Sequence, residues 1–156
     1  MNIETARLRL TPATEGDVDV LHGIWTDPDV RHYLWDDIVI DRDVAAAVVA
    51  HSVTDWRERG YGLWLIAELA SDAIAGFVGF RTADERPEPE LVFGLLPAYW
   101  GRGYATEAAQ AALRHLQGPA WAATDPGNRA SIRVLERLGM RFDHRTELLF
   151  YRLERP

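Results

Sequence analysis

The chain contains no cysteine and no lysine among its 156 residues. Without thiols it can form no disulfide, no cysteine nucleophile and no zinc–thiolate site. All 17 basic residues are therefore arginine. A phosphate-binding loop of the Gly-Lys-Ser/Thr kind, which nucleoside triphosphatases use, is excluded because it requires lysine. The absence of cysteine is typical of a cytoplasmic protein, and we expect that location.

The sequence also lacks long apolar runs and a basic excess. Its longest apolar run is Val44–Ala50, whereas a membrane span needs about 18 apolar residues, so we expect no membrane partner. The N-terminal "MNIETARLRL" has no basic region followed by an apolar stretch, so no secretory signal is expected. A net charge of −7 without a basic patch predicts no nucleic-acid ligand and favours cationic substrates such as amines. The five histidines have no metal-binding spacing, which predicts no metal site.

What is present predicts one α/β domain over residues 1–156, a mixed α+β sheet with helices packed on it. Hydrophobic residues make up 47% of the chain, enough for a core. Alternation and turn residues predict seven strands, within Ala6–Pro12, Tyr61–Leu69, Ile74–Arg81, Glu90–Pro97, Ala120–Thr124, Arg141–Thr146 and Leu148–Leu153. About four helices are predicted, after Thr14, after Asp41 as far as Arg59, from Gly103, and over Asn128–Leu138. "TADERPEPE", between the third and fourth strands, is predicted to be a polar loop.

The segment "ELVFGLLPAYWGRGYAT" joins the fourth strand to a helix through a glycine turn. Backbone amides are unpaired in the first turn of a helix, and glycine lets a ligand approach them closely. The helix dipole adds partial positive charge, so such a turn favours phosphate. The amides of residues 102–106 and the Thr106 hydroxyl could converge on a pyrophosphate. A tight turn without a ligand is the alternative that the two glycines leave open.

A dinucleotide-binding turn does not fit this segment. It would require a third glycine where this chain has Thr106, and an acidic residue at the end of a second strand, which is missing.

Three linked segments resemble the GNAT N-acetyltransferase superfamily, in the branch related to ribosomal-protein alanine N-acetyltransferases. They are "RLRLTPATEGDVDVLHGIWTDPDVRHYL", the glycine turn, and "NRASIRVLERLGMRF", which is similar to that branch's N-x-x-S-x-x-V-L-E-x-L-G-F. The resemblance covers nearly the whole chain in the same order. It implies a sheet that splays between strands 4 and 5, and acetyl-CoA as a co-substrate without a metal. It also implies direct transfer of the acetyl group to an amine in a ternary complex, which agrees with the absence of cysteine.

By the same resemblance, the pantetheine arm pairs with the strand that ends at Phe93–Pro97, especially with the amide of Leu95 or Leu96, and the pyrophosphate lies on the glycine turn. Asn128 would contact the pantetheine or its phosphate, although it is also a good helix cap. Arg102 and Arg133 are candidates for the 3′-phosphate. The implied coenzyme residues are Phe93, Leu95, Leu96, Pro97, Gly101, Arg102, Gly103, Tyr104, Ala105, Thr106, Asn128 and Arg133.

Two departures from the superfamily pattern affect the chemistry. The loop's usual first Gln or Arg is Ala98, which leaves the amide-based phosphate site intact. The tyrosine that often protonates the leaving thiolate is replaced by Leu135. Ser131 follows Asn128 by one helical turn and could donate a hydrogen bond to the sulfur in its place. A purely capping role for Ser131 is the alternative.

Glu90 is the candidate general base, because an ammonium must lose a proton before it can attack. "ELVF" aligns with the E-I-x-F of the superfamily's histone-acetyltransferase branch, where the glutamate is the base. Burial at the start of a strand would raise the pKa of Glu90 towards a useful value. A solvated strand end, or a base acting through water, remains open.

The acceptor site is expected in "IWTDPDVRHYLWDD", where aromatic and acidic residues cluster. Trp25, Tyr33 and Trp35 could wall a pocket, and Asp36 or Asp37 could hold a cation, although such aromatics are also typical of a core. The sequence does not distinguish a protein N-terminus from a small amine, and it leaves open a homodimer. Two other classes stay open: a non-catalytic acyl-CoA-binding module, and a structural domain that binds no coenzyme.

Overall fold

The computed structural model describes residues 1–83 and 86–155. The strands are β1 (Ile3–Glu4), β2 (Leu8–Pro12), β3 (Leu63–Glu68), β4 (Ile74–Ala83), β5 (Arg86–Leu95), β6 (Ala120–Thr124), β7 (Arg141–Arg145) and β8 (Leu149–Leu153). The helices are α1 (Val18–Thr26), α2 (Pro28–Arg31), α3 (Arg42–Arg59), α4 (Tyr104–Leu116) and α5 (Arg129–Arg137). Three-residue turns lie at Glu15–Asp17, Trp35–Asp37 and Pro97–Tyr99.

The strands form one mixed sheet in the order β1-β2-β3-β4-β5-β6-β8-β7, and β5 and β6 are its parallel pair. The predicted mixed α/β class is confirmed, but the described residues give eight strands rather than seven and five helices rather than four. The extra strand, β1, pairs Ile3 with Leu10 and is too short to show a sequence pattern. The extra helix, α2, is a single turn capped by Asp27 in a "DPDV" segment that reads as a break.

The sheet buries a different hydrophobic cluster on each face. On one face, α4 and α5 cover residues such as Leu8, Ile66 and Leu91. On the other, α1 and α3 cover Leu65 and Phe77 among others. Neighbouring residues of a strand therefore point to opposite clusters.

Local capping signals predict the helix ends correctly. Val18, Leu21, Ile24 and Trp25 recur at helical spacing and form the buried face of α1. Asp41 precedes α3, and Gly60 ends it in the left-handed conformation at a φ of 77°. Asn128 caps α5 by accepting a hydrogen bond from the Ser131 amide at 3.1 Å.

The predicted loop between β4 and β5 is wrong at both ends. Thr82 and Ala83 belong to β4, and β5 begins at Arg86, so Glu90 lies in the middle of a strand and not at its start. Residues 84 and 85 of the predicted loop lie outside the described residues. Prolines 87 and 89 fit this strand because amides alternate in direction along a strand, and those at positions 87 and 89 point away from β4. The missing N–H of each proline therefore removes no hydrogen bond between β4 and β5.

The parallel strands β5 and β6 meet at one registered pair, Glu90 and Trp121. Beyond that pair, β5 continues to Leu95 beside β4, and β6 continues to Thr124 beside β8. The two strands therefore diverge into a V that opens towards their C-terminal ends. This is the position predicted for the splay, between the fourth and fifth strands of the sequence-based count.

Candidate functional site

Two helices begin at the open end of the V. In each βα unit the helix follows the C-terminal end of its strand, so α4 begins beyond β5 and α5 begins beyond β6. Both helix N-termini therefore carry partial positive charge on the same side of the sheet. Such an arrangement suits an anionic ligand with an extended arm lying between the strands.

The glycine turn before α4 has the geometry that the sequence predicts for a phosphate site. Gly101 and Gly103 both adopt the left-handed region, at φ values of 75° and 77°. The first backbone hydrogen bond of the helix is donated by the Glu107 amide to the Gly103 carbonyl at 3.1 Å. The amides of residues 103–106, which include Tyr104, Ala105 and Thr106, precede that bond and have no helical acceptor.

Charged side chains hold this turn against the rest of the sheet. Arg7 donates to the Arg102 carbonyl at 2.7 Å and to the Glu107 carboxylate at 2.7 Å. Thr5 also donates to Glu107, at 2.5 Å. Burial disfavours the charge on Glu107, but the hydrogen bonds from Thr5 and Arg7 outweigh it and hold its pKa below the usual 4.5. The turn is thus fixed before any ligand arrives.

The side chains of Arg102 and Tyr104 face Glu68 on β3. Tyr104 donates to Glu68 at 2.5 Å, and Arg102 lies 3.2 Å from the same oxygen. The hydrogen bonds from Tyr104 and Ser71 lower the pKa of Glu68, and the bond to Glu68 raises the pKa of Tyr104. Arg102 is therefore held by a carboxylate, while the backbone amides of the turn stay available.

The edge of β5 that faces the V agrees with only part of the predicted pantetheine site. The Leu96 amide N–H donates to the Ala75 carbonyl at 2.8 Å, so this amide is not available to donate to a coenzyme. Because amides alternate along a strand, those of Leu95 and Phe93 point the other way, towards the V. Pro97 has no N–H and begins the turn that follows. Of the two predicted donors, Leu95 is the one that the geometry leaves open.

The first turn of α5 lies beside the V. The side-chain oxygen of Asn128 accepts the Ser131 amide, so its NH₂ group remains for a ligand. The half-buried Ser131 hydroxyl has no hydrogen-bond partner within residues 1–83 and 86–155. Arg133 is exposed. Leu135 is 1% exposed and belongs to the core, which accounts for a leucine in this position.

Glu90 lies at the apex of the V, where β5 and β6 last pair. Its side chain is 7% exposed and forms an ion pair with Arg81 of β4, which is 54% exposed. The two residues are directly opposite in the β4–β5 register. The guanidinium supplies the partner that a buried carboxylate requires. A carboxylate at this point lies beside the edge of β5 that borders the V, and on the face of the sheet where Arg81 covers it.

The predicted acceptor aromatics divide between core and surface. Trp25 is 2% exposed and meets Phe77 and Trp35 edge to face, so it is a core residue and not a pocket wall. Trp35 is partly buried against the same cluster. Tyr33 is 42% exposed and donates its hydroxyl to the Gly127 carbonyl at 3.1 Å. That bond joins the segment after α2 to the loop after β6.

The turn that carries Asp36 and Asp37 has an uncommon backbone. Trp35, Asp36 and Asp37 all have positive φ, at 58°, 51° and 60°. Non-glycine residues in this region carry strain that the surrounding structure must hold. Asp37 is paired with Arg31 at 3.2 Å, and Asp36 is exposed. Within the described residues, Asp36 is therefore the one of these two carboxylates that is exposed and has no guanidinium partner.

Sequence reasoning missed the residues that support the site. Arg81 covers Glu90, and Arg7, Glu68 and Glu107 hold the glycine turn. The β4–β5 register would have shown Arg81, had the hairpin been predicted as far as Arg86. The contacts to Glu107 and Glu68 join residues 100 and 36 positions apart, and no local pattern shows them.

Within 1–83 and 86–155, no group of three or more His, Asp or Glu side chains is placed to hold a metal ion. In the same part of the chain, no helix has the length and apolar character to cross a membrane.

Comparison with known proteins agrees with this geometry. The family model described as "Acetyltransferase (GNAT) domain" matches residues 7–141. The uncharacterized protein YkkB of Bacillus subtilis (strain 168) is 32% identical over 151 residues, which are 88% of this chain and 84% of that protein. An uncharacterized N-acetyltransferase, p20, of Bacillus licheniformis is 31% identical over 68% of this chain and 60% of its own length.

Solved structures share the fold over the full chain. An acetyltransferase from Agrobacterium tumefaciens str. C58 superposes with a TM-score of 0.83 at 27% identity, covering 99% of this chain and 95% of that one. The RimL ribosomal L7/L12 α-N-protein acetyltransferase in complex with coenzyme A gives a TM-score of 0.80 at 18% identity, covering 99% and 98%. The latter likeness is one of fold. With the matched family model and the splayed parallel pair, these findings place the chain in the GNAT acetyltransferase family.

Proposed function

We infer that the protein transfers an acetyl group from acetyl-CoA to a primary amine by direct attack. The observation that carries this function is the V between β5 and β6, with an unpaired strand edge inside it and two helix N-termini at its open end. One structural neighbour is a complex with coenzyme A, and it acts on a protein N-terminus. A protein N-terminus is therefore a natural acceptor class to test beside small amines.

The residues of the chain fit coenzyme A at three points. The amides of Gly103–Thr106 are free to bind the pyrophosphate, and Arg7 fixes their position. The amides of Phe93 and Leu95 offer strand-like pairing to the pantetheine amides. The NH₂ group of Asn128 adds a donor on the opposite side of the V.

Proton transfer is assigned to Glu90 and Ser131. Bound acetyl-CoA supplies an activated thioester, and the chain must then take a proton from the amine and stabilise the leaving sulfur. Glu90 accepts the ammonium proton at its carboxylate, directly or through one water. The free hydroxyl of Ser131 donates a hydrogen bond towards the sulfur, since Leu135 cannot.

The alternative is a non-catalytic acyl-CoA-binding module on the same fold. One observation favours it: Arg81 occupies the carboxylate that would have to accept a proton. Such a module would keep the glycine turn and the open edge of β5 but would not need Glu90 or Ser131.

Two measurements decide between these functions. Isothermal titration with acetyl-CoA tests coenzyme binding, and release of the coenzyme A thiol over a panel of amines tests transfer. Thiol release that depends on the amine, with a mass increase of one acetyl group on the acceptor, supports the acetyltransferase. Binding without release from any amine supports the module. Absence of binding contradicts both.

A further inference from the structure

Trp100 lies at the open end of the V, on the edge of β5 that faces β6. Its indole N–H donates to the Leu95 carbonyl at 2.8 Å. In an antiparallel ladder, one residue directs both its N–H and its C=O to the partner strand, and the next residue directs both away. The Leu96 amide bonds to β4, so both polar groups of Leu95 point away from β4. The indole therefore occupies a backbone group that borders the V.

The ring of Trp100 is exposed although its N–H is fixed. Trp100 is 52% exposed. Its neighbours Tyr99 and Tyr104 stack on each other at 6.3 Å and pack with the core under α4 and α5, and the Arg102 guanidinium lies over both. A single exposed aromatic side chain needs no function by itself. This one, however, is anchored to the strand edge along which the coenzyme arm would lie.

The chemistry of coenzyme A decides which of its parts would meet this ring. Along the arm, the thioester is followed by two amides, then by the pantoyl unit with its two methyl groups, and then by the pyrophosphate. In the proposed complex the amides pair with Phe93 and Leu95, and the pyrophosphate lies on the amides of residues 103–106. The pantoyl unit then lies between Leu95 and the glycine turn, beside Trp100. Its methyl groups are apolar, and an exposed indole face suits them.

The bond to Leu95 also limits how the arm can pair with β5. The amide and carbonyl of Phe93 and the amide of Leu95 face the V, while the Leu95 carbonyl is occupied. An arm shifted by two residues towards the open end would need that carbonyl as an acceptor. Trp100 thus favours the pairing position deeper in the V, which brings the thioester towards Glu90 at the apex.

We propose that Trp100 binds the pantoyl unit of coenzyme A against its exposed indole face and, through its hydrogen bond to Leu95, sets the position of the pantetheine arm in the V. This rests on the coenzyme binding of the proposed function and adds an apolar contact to it. The ring distinguishes the whole coenzyme from its nucleotide half, which has no pantoyl unit.

Titration with two ligands separates this contact from a structural role. Acetyl-CoA contains the pantoyl unit, whereas 3′-phospho-ADP is the nucleotide half of the coenzyme alone. Trp100→Ala should raise the dissociation constant of acetyl-CoA by about tenfold and that of 3′-phospho-ADP by less than about twofold, because only the former loses an apolar contact. Both ligands place their pyrophosphate on the same backbone amides, so a turn merely loosened by the substitution would weaken both equally.

A coenzyme analogue identifies the pantoyl methyl groups as the contact. Acetyl-CoA without these two methyl groups should bind the unmodified protein about fivefold more weakly than acetyl-CoA itself. Trp100→Ala should bind the two with less than about a twofold difference, because the ring that the methyl groups contact is gone. Phe142→Ala is the matched control, since Phe142 is 57% exposed and lies on the edge strand β7. It should keep the affinity of the unmodified protein for every ligand.

Trp100→Phe tests the indole itself, because phenylalanine keeps an apolar ring but cannot donate to Leu95. Acetyl-CoA should shift the tryptophan emission of the unmodified protein to shorter wavelength as it covers the exposed indole, and Trp100→Phe should lose that shift. Its affinity for acetyl-CoA should fall by less than about threefold, while kcat falls by about tenfold, because the arm is no longer confined to one position. An unchanged emission shift in Trp100→Phe would overturn the contact.

The outcomes separate this inference from the proposed function. Absence of acetyl-CoA binding to the unmodified protein contradicts both. Binding that depends on Trp100 and on the pantoyl methyl groups, without turnover of any amine, supports this inference and contradicts the transferase. Turnover combined with equal acetyl-CoA affinity in Trp100→Ala and the unmodified protein contradicts the inference alone. An equal loss of acetyl-CoA and 3′-phospho-ADP in Trp100→Ala, or an equal loss of acetyl-CoA in Phe142→Ala, also overturns it.

Discussion

At the scale of single residues, Glu90 combines burial, charge and position. It is the last residue of β5 that pairs with β6, and Arg81 balances its charge. A glutamate that served only to hold Arg81 would affect stability and not the pH dependence of a reaction. A general base would affect both the rate and its pH profile, because the substrate amine must lose its proton.

Glu90→Gln should therefore lower turnover by about a hundredfold or more, the usual scale for a general base. The shape of the side chain is kept and only its charge is lost. Part of the rate should return at higher pH, where more of the amine is already neutral, and the acetyl-CoA dissociation constant should not change. Glu58→Gln, at an exposed glutamate, is the control and should leave the rate unchanged. If Glu90→Gln has the same pH–rate profile as the unmodified enzyme, Glu90 is not the base.

Ser131 offers a second test at this scale because its two roles belong to different atoms. The cap to Asn128 is made by the Ser131 backbone amide, which alanine retains, while the hydroxyl is free. Ser131→Ala should keep helix stability and coenzyme affinity but lower kcat by about tenfold or more, since donors to developing charge act mainly in the transition state. Unchanged kcat, measured by thiol release, would reduce Ser131 to its structural role.

At the scale of secondary-structure elements, the α4 N-terminus can be tested against a second glycine of equal backbone strain. Gly103 and Gly60 both have a φ of 77°, and a Cβ at Gly60 would meet nothing within 4 Å. Valine at either position should cost similar stability. Only Gly103→Val should weaken acetyl-CoA binding, by about tenfold or 1.4 kcal/mol, because its Cβ would lie 3.5 Å from the Arg7 guanidinium that fixes the turn. Equal affinity in the two folded variants would contradict an amide-based phosphate site.

Glu107 ties α4 to Thr5 and Arg7 in the turn between β1 and β2, and its charge makes that tie sensitive to acid. Its pKa is lowered from 4.5 in the folded protein, so its stabilisation is complete above about pH 4.5 and is lost as the pH falls through the lowered value. The thermal unfolding temperature of the unmodified protein should therefore fall more steeply below pH 4.5 than that of Glu107→Gln. Glu147→Gln, an exposed control, should keep the steep fall. Parallel curves for all three proteins would show that the tie does not depend on the charge.

Elements with local signals were predictable, and those set by register were not. Capping residues and glycine stops gave α3 and α5 nearly to the residue, and they gave the presence of α1. The geometry of the glycine turn was predictable because its two features, positive φ at the glycines and a helix start, both follow from local sequence. The Arg81–Glu90 pair depends on a hairpin whose register shifts at a bulge between Arg81 and Ala83. Likewise, no pattern within β5 reveals that the Leu96 amide donates to the Ala75 carbonyl and is therefore unavailable to a coenzyme.

At the scale of the whole molecule, the sheet consists of two antiparallel parts joined through β5 and β6. Their one registered pair is Glu90 and Trp121. Core residues under α4 and α5, such as Leu91 and Tyr151, join the two parts from one side. A ligand in the V would add hydrogen bonds to the edge of β5 that faces β6. Coenzyme binding should therefore be visible in the stability of the whole chain.

Saturating acetyl-CoA should raise the unfolding temperature by about 5–10 °C, because a ligand at a hundred times its dissociation constant adds about 2.7 kcal/mol. Hydrogen exchange should locate the gain within β5. The amides of Phe93 and Leu95 face the V and should exchange more slowly with the ligand. The Leu96 amide already donates to Ala75 and should change little, as an internal control one residue away. A thermal shift without slower exchange at Phe93 and Leu95 would place the coenzyme elsewhere and contradict the site.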